Sequence, residues 1–179
     1  MKNPAPLFSA LTLLAVATAT LTACASAQPA ASAGPDSAPD AARFGASLAT
    51  IRPLLETACT TLTIRELPLE ELPIAQTRHI QAECGGLAHA GAPRDAEFVF
   101  ADDALAFVWV LTDAGEADTL RAALEAAHGA PSHDLPPATA FTQARLALRH
   151  DTPELLYYGA HVAPMYEGWF DQMATQLAQ

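Results

Sequence analysis

Six histidines are the residues best equipped for chemistry in this chain, and their spacing decides what they can do. His79 and His89 flank Gly85-Gly86, while His128 and His133 straddle a predicted helix end and a proline-containing loop, with Asp134 adjacent. A helical zinc site needs H-x-x-x-H, and a zinc loop needs paired Cys or His ligands close in sequence. Neither pattern occurs. The expectation is ordinary surface histidines, no metal and no cofactor; convergence of two or more of His79, His89, His128, His133 and His161 on one pocket would overturn it. His150-Asp151 could serve a hydrolase, but there is no G-x-S-x-G, and Ser47 and Ser132 lie in no nucleophile-like context. Glu70-Glu71 and Asp102-Asp103 fall in predicted loops and read as solvated turns, because adjacent strand residues point to opposite faces. Cys84-Gly85-Gly86 lacks the lysine and following helix of a phosphate loop. No catalytic residue is assigned.

The cysteines say more. Met1-Lys2-Asn3 is a short n-region with one positive charge, and Leu7 to Leu21 carries no charged residue. That run is short for a bilayer span, which takes roughly 20 apolar residues, but it fits a secretory h-region. It closes with Leu21-Thr22-Ala23-Cys24: an aliphatic residue, two small ones, then cysteine. The segment resembles the lipobox signal of bacterial lipoproteins. That resemblance covers residues 1–24 only. It implies cleavage before Cys24, a diacylglyceryl thioether on Cys24 and often a further acyl chain on its amine. Two or more chains hold a protein on a membrane stably, at about 0.8 kcal/mol per buried CH₂. Ala25 after the cysteine, rather than Asp, favours the outer membrane, with the domain facing the periplasm. Ala25-Ser26-Ala27 offers a competing site for ordinary signal peptidase, and cleavage after Ala27 would release a soluble periplasmic binding module.

Giving Cys24 to lipid leaves an even pair, Cys59 and Cys84, in an oxidising compartment. A disulfide between them is expected, worth ~3.5 kcal/mol in the chain-entropy model. Cys84 as a reactive thiol lacks C-x-x-C spacing.

Without residues 1–23 the chain loses its only lysine, and eight Arg stand against 20 Asp and Glu, a formal charge of −12. Such a domain repels nucleic acid and anionic lipid. Residues 24–39 are rich in Ala, Ser and Pro with Asp36 as the only charge, and read as the acylated cysteine and a flexible tether. Residues 40–179 then form one globular domain.

Any candidate group must be positioned by the elements of that domain. Phe44, Leu48, Ile51 and Leu55 have helical spacing, predicting a helix over 41–58 with a bend at Pro53. Strands are expected at 60–64 and 77–84, with a bulge or turn at Gly85-Gly86 and Gly91. Two more, at 96–100 and 104–112, flank an Ala101-Asp102-Asp103 hairpin turn. In the second, Leu105, Phe107, Trp109 and Leu111 should share one face, with Trp109 largely buried. Asp113, Glu116 and Gly129 bound the next helix, with Leu120, Ala123, Leu124 and Ala127 as its apolar stripe. Residues 130–140 read as a loop, 141–149 as a strand exposing Arg145 and Arg149 to solvent, and 155–158 as another strand. Tyr166, Phe170, Met173 and Leu177 mark a final helix whose aromatics, Trp169 included, read as core. The order α-β-β-β-β-α-β-β-α predicts an α+β fold, a mostly antiparallel sheet packed against helices.

These readings converge on an outer-membrane-anchored periplasmic lipoprotein that works by protein or ligand contact, touches the membrane through Cys24 and has an envelope protein as partner. A small periplasmic enzyme, or a metal-binding protein using His79, His89, His128 or His133, is the alternative.

Overall fold

The computed structural model describes residues 33–179. Cys24 and the lipobox lie outside them. Eight strands form one antiparallel sheet: β1 (Thr61–Leu67), β2 (His79–His89), β3 (Ala92–Ala101), β4 (Ala104–Leu111), β5 (His133–Leu135), β6 (Ala138–Phe141), β7 (Leu146–Arg149) and β8 (Glu154–Tyr158). Their spatial order is β1-β2-β3-β4-β8-β7-β6-β5. Two four-stranded meanders therefore meet where β4 pairs with β8. Three helices cover the sheet: α1 (Leu48–Ala58), α2 (Ala117–His128) and α3 (Ala163–Leu177). The architecture is α+β, as expected. No helix among the described residues is long and apolar enough to cross a membrane.

Each sheet face buries its own core. On the first face, Ile51 and Leu55 of α1 and Leu120 and Leu124 of α2 pack on Ala82, Phe98, Val108 and Leu155. The i, i+4 spacing within each helix is what places both side chains over the sheet. On the second face, Phe170 of α3 packs with Val99, Phe107, Leu156 and Tyr158. β4 is thus central and covered on both sides.

Local chemistry fixes the boundaries. Ser47 caps α1 by accepting the Thr50 N–H. The helix starts there and not at residue 41, because Gly45, at φ 82°, turns the chain back to pair with Leu105. Pro53 is accommodated inside α1. Asp113 and Glu116 form a capping box ahead of α2, which ends at Gly129. Asp102 and Asp103 both have positive φ, the geometry of a two-residue hairpin turn whose twist matches the strands. Asp102 is also a clamp. Its carboxylate accepts the backbone N–H groups of Gln76, Thr77 and Arg78 and the Thr77 hydroxyl, which hold it down at about 2.

Two bulges reshape the sheet. At Gly85-Gly86 the β2–β3 register shifts between Cys84 and Leu87. The beyond-bulge hairpin turns over the first face, where Arg94 reaches Glu116 at 3.0 Å. A side chain at Gly86 would combine φ 73° with a collision against Thr60, so glycine is required. A second bulge lies at Ala106, where Val99 pairs with Phe107 but Phe100 pairs with Leu105. It turns Leu105 to the first face, away from Phe107. The expected four-residue face of β4 is corrected accordingly, and Leu111 at its end is exposed.

Further expectations are corrected. The 130–140 loop contains β5 and β6, with Pro136-Pro137 as the turn between them. The single strand over 141–149 is broken by a turn at 142–144 that ends on Arg145 in the left-handed conformation. The stripe of α2 is narrower than predicted, since Ala123 and Ala127 are exposed. The packed part of the chain also begins before residue 40. From Ala33 onward the chain lies against the domain: Ala33 bridges His89, Pro35 accepts the Tyr157 hydroxyl, and Pro39 and Ala41 are buried.

Candidate functional site

The expected disulfide is present: Cys59, just after α1, is joined to Cys84 on β2, with Cα atoms 5.3 Å apart. It ties the first helix to the sheet beside the first bulge.

The histidines are not gathered. His79 is buried and donates from Nδ1 to the Pro68 carbonyl at 3.1 Å. His128 meets the Asp36 carbonyl, His133 meets Asp171, and His150 meets Thr139. Among the described residues, no group of three His, Cys, Asp or Glu is arranged to hold a metal ion. The expectation of surface histidines is corrected for two of them, since His79 is buried and His89 is 0% exposed. The Tyr157 hydroxyl gives its proton to Pro35, so it accepts from His89 Nε2–H at 2.8 Å. The other ring nitrogen, Nδ1, is buried without a partner among the described residues, which favours the neutral ring with Nδ1 bare. Burial, then the Arg94 charge, lowers its pKa to about 4. This group secures the amino-terminal strap.

A cleft of about 300 Å³ lies under α3 on the second face. Helical spacing puts Tyr166 and Phe170 one turn apart against the sheet, and Met165 and Trp169 one turn apart at the mouth. Phe170 is buried and anchors the helix. Tyr166 stacks on Tyr158 at 5.5 Å and meets Phe107 edge-on at 5.2 Å. Leu156 of β8 and Ala138 of β6 form the floor, and alanine there leaves the space open. Met165 and Trp169 remain 43% and 41% exposed, so part of the expected aromatic core stripe is a rim.

Arg149 and Asp151 form the polar wall. Arg149 is not the solvated strand residue expected. Its guanidinium donates to Glu154 at 2.7 Å and to Asp151 at 2.9 Å, and these partners keep it charged despite partial burial. Burial raises the Glu154 carboxyl above its usual range, with Arg149 opposing the shift. One cation is thus committed to two carboxylates, leaving the wall with a net negative charge. The lining supplies aromatic faces, a thioether and a neutralised cation. That is chemistry for binding an apolar group.

A polar trough continues along the same face, about 320 Å³, between Thr63, Glu83, Asp95, Glu97 and Leu111. One cross-strand row links the two: Thr63 opposes Glu83, Glu83 opposes Glu97, Glu97 opposes Trp109, and Trp109 opposes Leu156 on the cleft floor. Burial and the facing Glu83 raise the Glu97 carboxyl. Arg65 pairs with Glu83 at 3.0 Å. Trp109 stacks on Phe107 at 6.0 Å but is only partly buried, less than expected. Its indole N–H is enclosed without a partner among the described residues.

Sequence reasoning missed Arg149, Glu154 and Glu97 as members of a site. Their signal is cross-strand adjacency, which exists only after β4 and β8 pair. No protein-family model matches the chain, and no curated protein or solved structure matches it.

Proposed function

We propose that this chain is an envelope lipoprotein, held at the outer membrane by acyl groups on Cys24, whose periplasmic domain acts by contact through the α3 cleft and not by catalysis. The anchor rests on Leu21-Thr22-Ala23-Cys24. The Cys59–Cys84 bond is in keeping with an oxidising compartment. The observation that carries the contact role is Trp169 and Met165, both over two-fifths exposed, at the mouth of an apolar cleft. Large apolar side chains rimming a concavity are characteristic of binding sites.

The anchor is tested by Cys24→Ser. The variant should lose labelling by a fatty-acid probe and leave the outer-membrane fraction. Wild-type fractionation of that variant would end the lipoprotein reading. The contact role is tested by a photocrosslinking residue at Met165, which should capture a discrete envelope partner. Loss of that product in Trp169→Ala is the expected control, and no product from the wild-type background argues against the role.

A further inference from the structure

We propose that the α3 cleft and the acidic trough form one docking surface for an extended, basic segment of a partner protein. An apolar side chain of that segment enters under α3, and its lysines or arginines lie over Asp95, Glu97 and Glu83. This inference rests on the contact role proposed above and specifies its occupant.

The first support is continuity. The row from Leu156 through Trp109 and Glu97 to Glu83 crosses neighbouring strands of one sheet face. At ~4.8 Å per strand, Glu83 stands roughly 14 Å from the cleft floor. An extended peptide covers that span in about four or five residues, whereas a small molecule filling the cleft does not reach the trough.

The second support is charge. The trough offers Glu83, Asp95 and Glu97 against Arg65, which is already paired with Glu83. Neither Asp95 nor Glu97 forms an ion pair among the described residues. Glu97 is partly buried beside a like charge, so an incoming cation relieves a repulsion already present. At the cleft wall Asp151 and Glu154 outnumber Arg149. Exposed Trp169 adds an aromatic face suited to a cation. An anionic lipid surface or a second copy of this acidic chain meets repulsion along the whole path.

The test uses the purified full chain and synthetic acetylated peptides. The probe has leucine at its first position, lysines at its third and fifth, which share the leucine's face in an extended chain, and Ser or Gly elsewhere. Three analogues replace the lysines by glutamine, the lysines by glutamate, or the leucine by serine. Binding is followed by calorimetry at low and at high salt. The lysine probe should bind at least tenfold more tightly than the glutamine and glutamate forms, and high salt should erase most of that difference. Trp169→Ala should weaken every leucine-bearing peptide about tenfold. Glu97→Gln combined with Asp95→Asn should remove the lysine preference and leave the glutamine form unaffected. Equal binding of the lysine and glutamine probes, both lost in Trp169→Ala, overturns the basic partner and leaves the cleft reading standing. Absence of binding by all four peptides overturns both.

Discussion

His89 shows what a single residue contributes to this fold. It is enclosed, neutral and held by one hydrogen bond to Tyr157, which in turn holds Pro35. An unfolded histidine takes up a proton near pH 6.5, while folded His89 resists one until about 4. The unfolded chain therefore binds the extra proton between those values, so stability is full above pH 6.5 and falls as pH drops towards 4. The loss is about 3 kcal/mol by linkage. His89→Phe should flatten that slope in urea unfolding followed at pH 7, 5.5 and 4.5; an unchanged slope would mean that other groups set the acid response. A histidine of this kind is invisible in sequence, where His89 reads as an ordinary surface histidine. Glu154 and Arg149 were equally hidden, because the sequence separates them by a turn that the sheet closes into a pair.

At the level of elements, legibility followed the range of the interactions. α2 could be read almost to the residue, since Asp113, Glu116 and Gly129 act within their own turn. The β3–β4 hairpin was legible for the same reason. β5 and β6 were not: they are three and four residues long, flank Pro136-Pro137, and exist only because β7 pairs beside them. The Ala106 bulge has no glycine or proline to announce it, unlike Gly85-Gly86, so the face assignment of Leu105 failed. The disulfide joins the end of α1 to β2 beside the Gly85-Gly86 bulge. Cys59→Ala should cost about 2–5 kcal/mol in thermal or denaturant unfolding while the far-ultraviolet dichroism stays native. A change under 1 kcal/mol would show that the bulge is held by the glycines and by packing alone.

For the whole molecule, the boundary of the folded unit is the main revision. A chain starting at Asp40 would lack Ala33, Pro35 and the buried Pro39, and would leave the Tyr157 hydroxyl only its bond to His89. Relative to a chain starting at Ala33, it should be less stable by about 0.5–1.5 kcal/mol from that lost hydrogen bond alone. Equal melting temperatures for the two would return these residues to the tether. The composition of residues 24–39 hid this, because Ala, Ser and Pro read the same whether they dangle or fill a groove. The strap also determines how the molecule meets mechanical load. It packs on the sheet face opposite the α3 cleft, and its first residues are held by hydrogen bonds from Ala90, Tyr157 and His128, ahead of the buried Pro39 and Ala41. Tension applied from the amino-terminal side therefore peels the strap one bond at a time, while the sheet behind the Cys59–Cys84 bond stays folded. In a single-molecule pulling experiment this appears as a short, low-force extension of the first few residues before any cooperative rupture. The strap is thus the segment that yields first to a pull from the amino-terminal side, before any strand of the sheet is loaded.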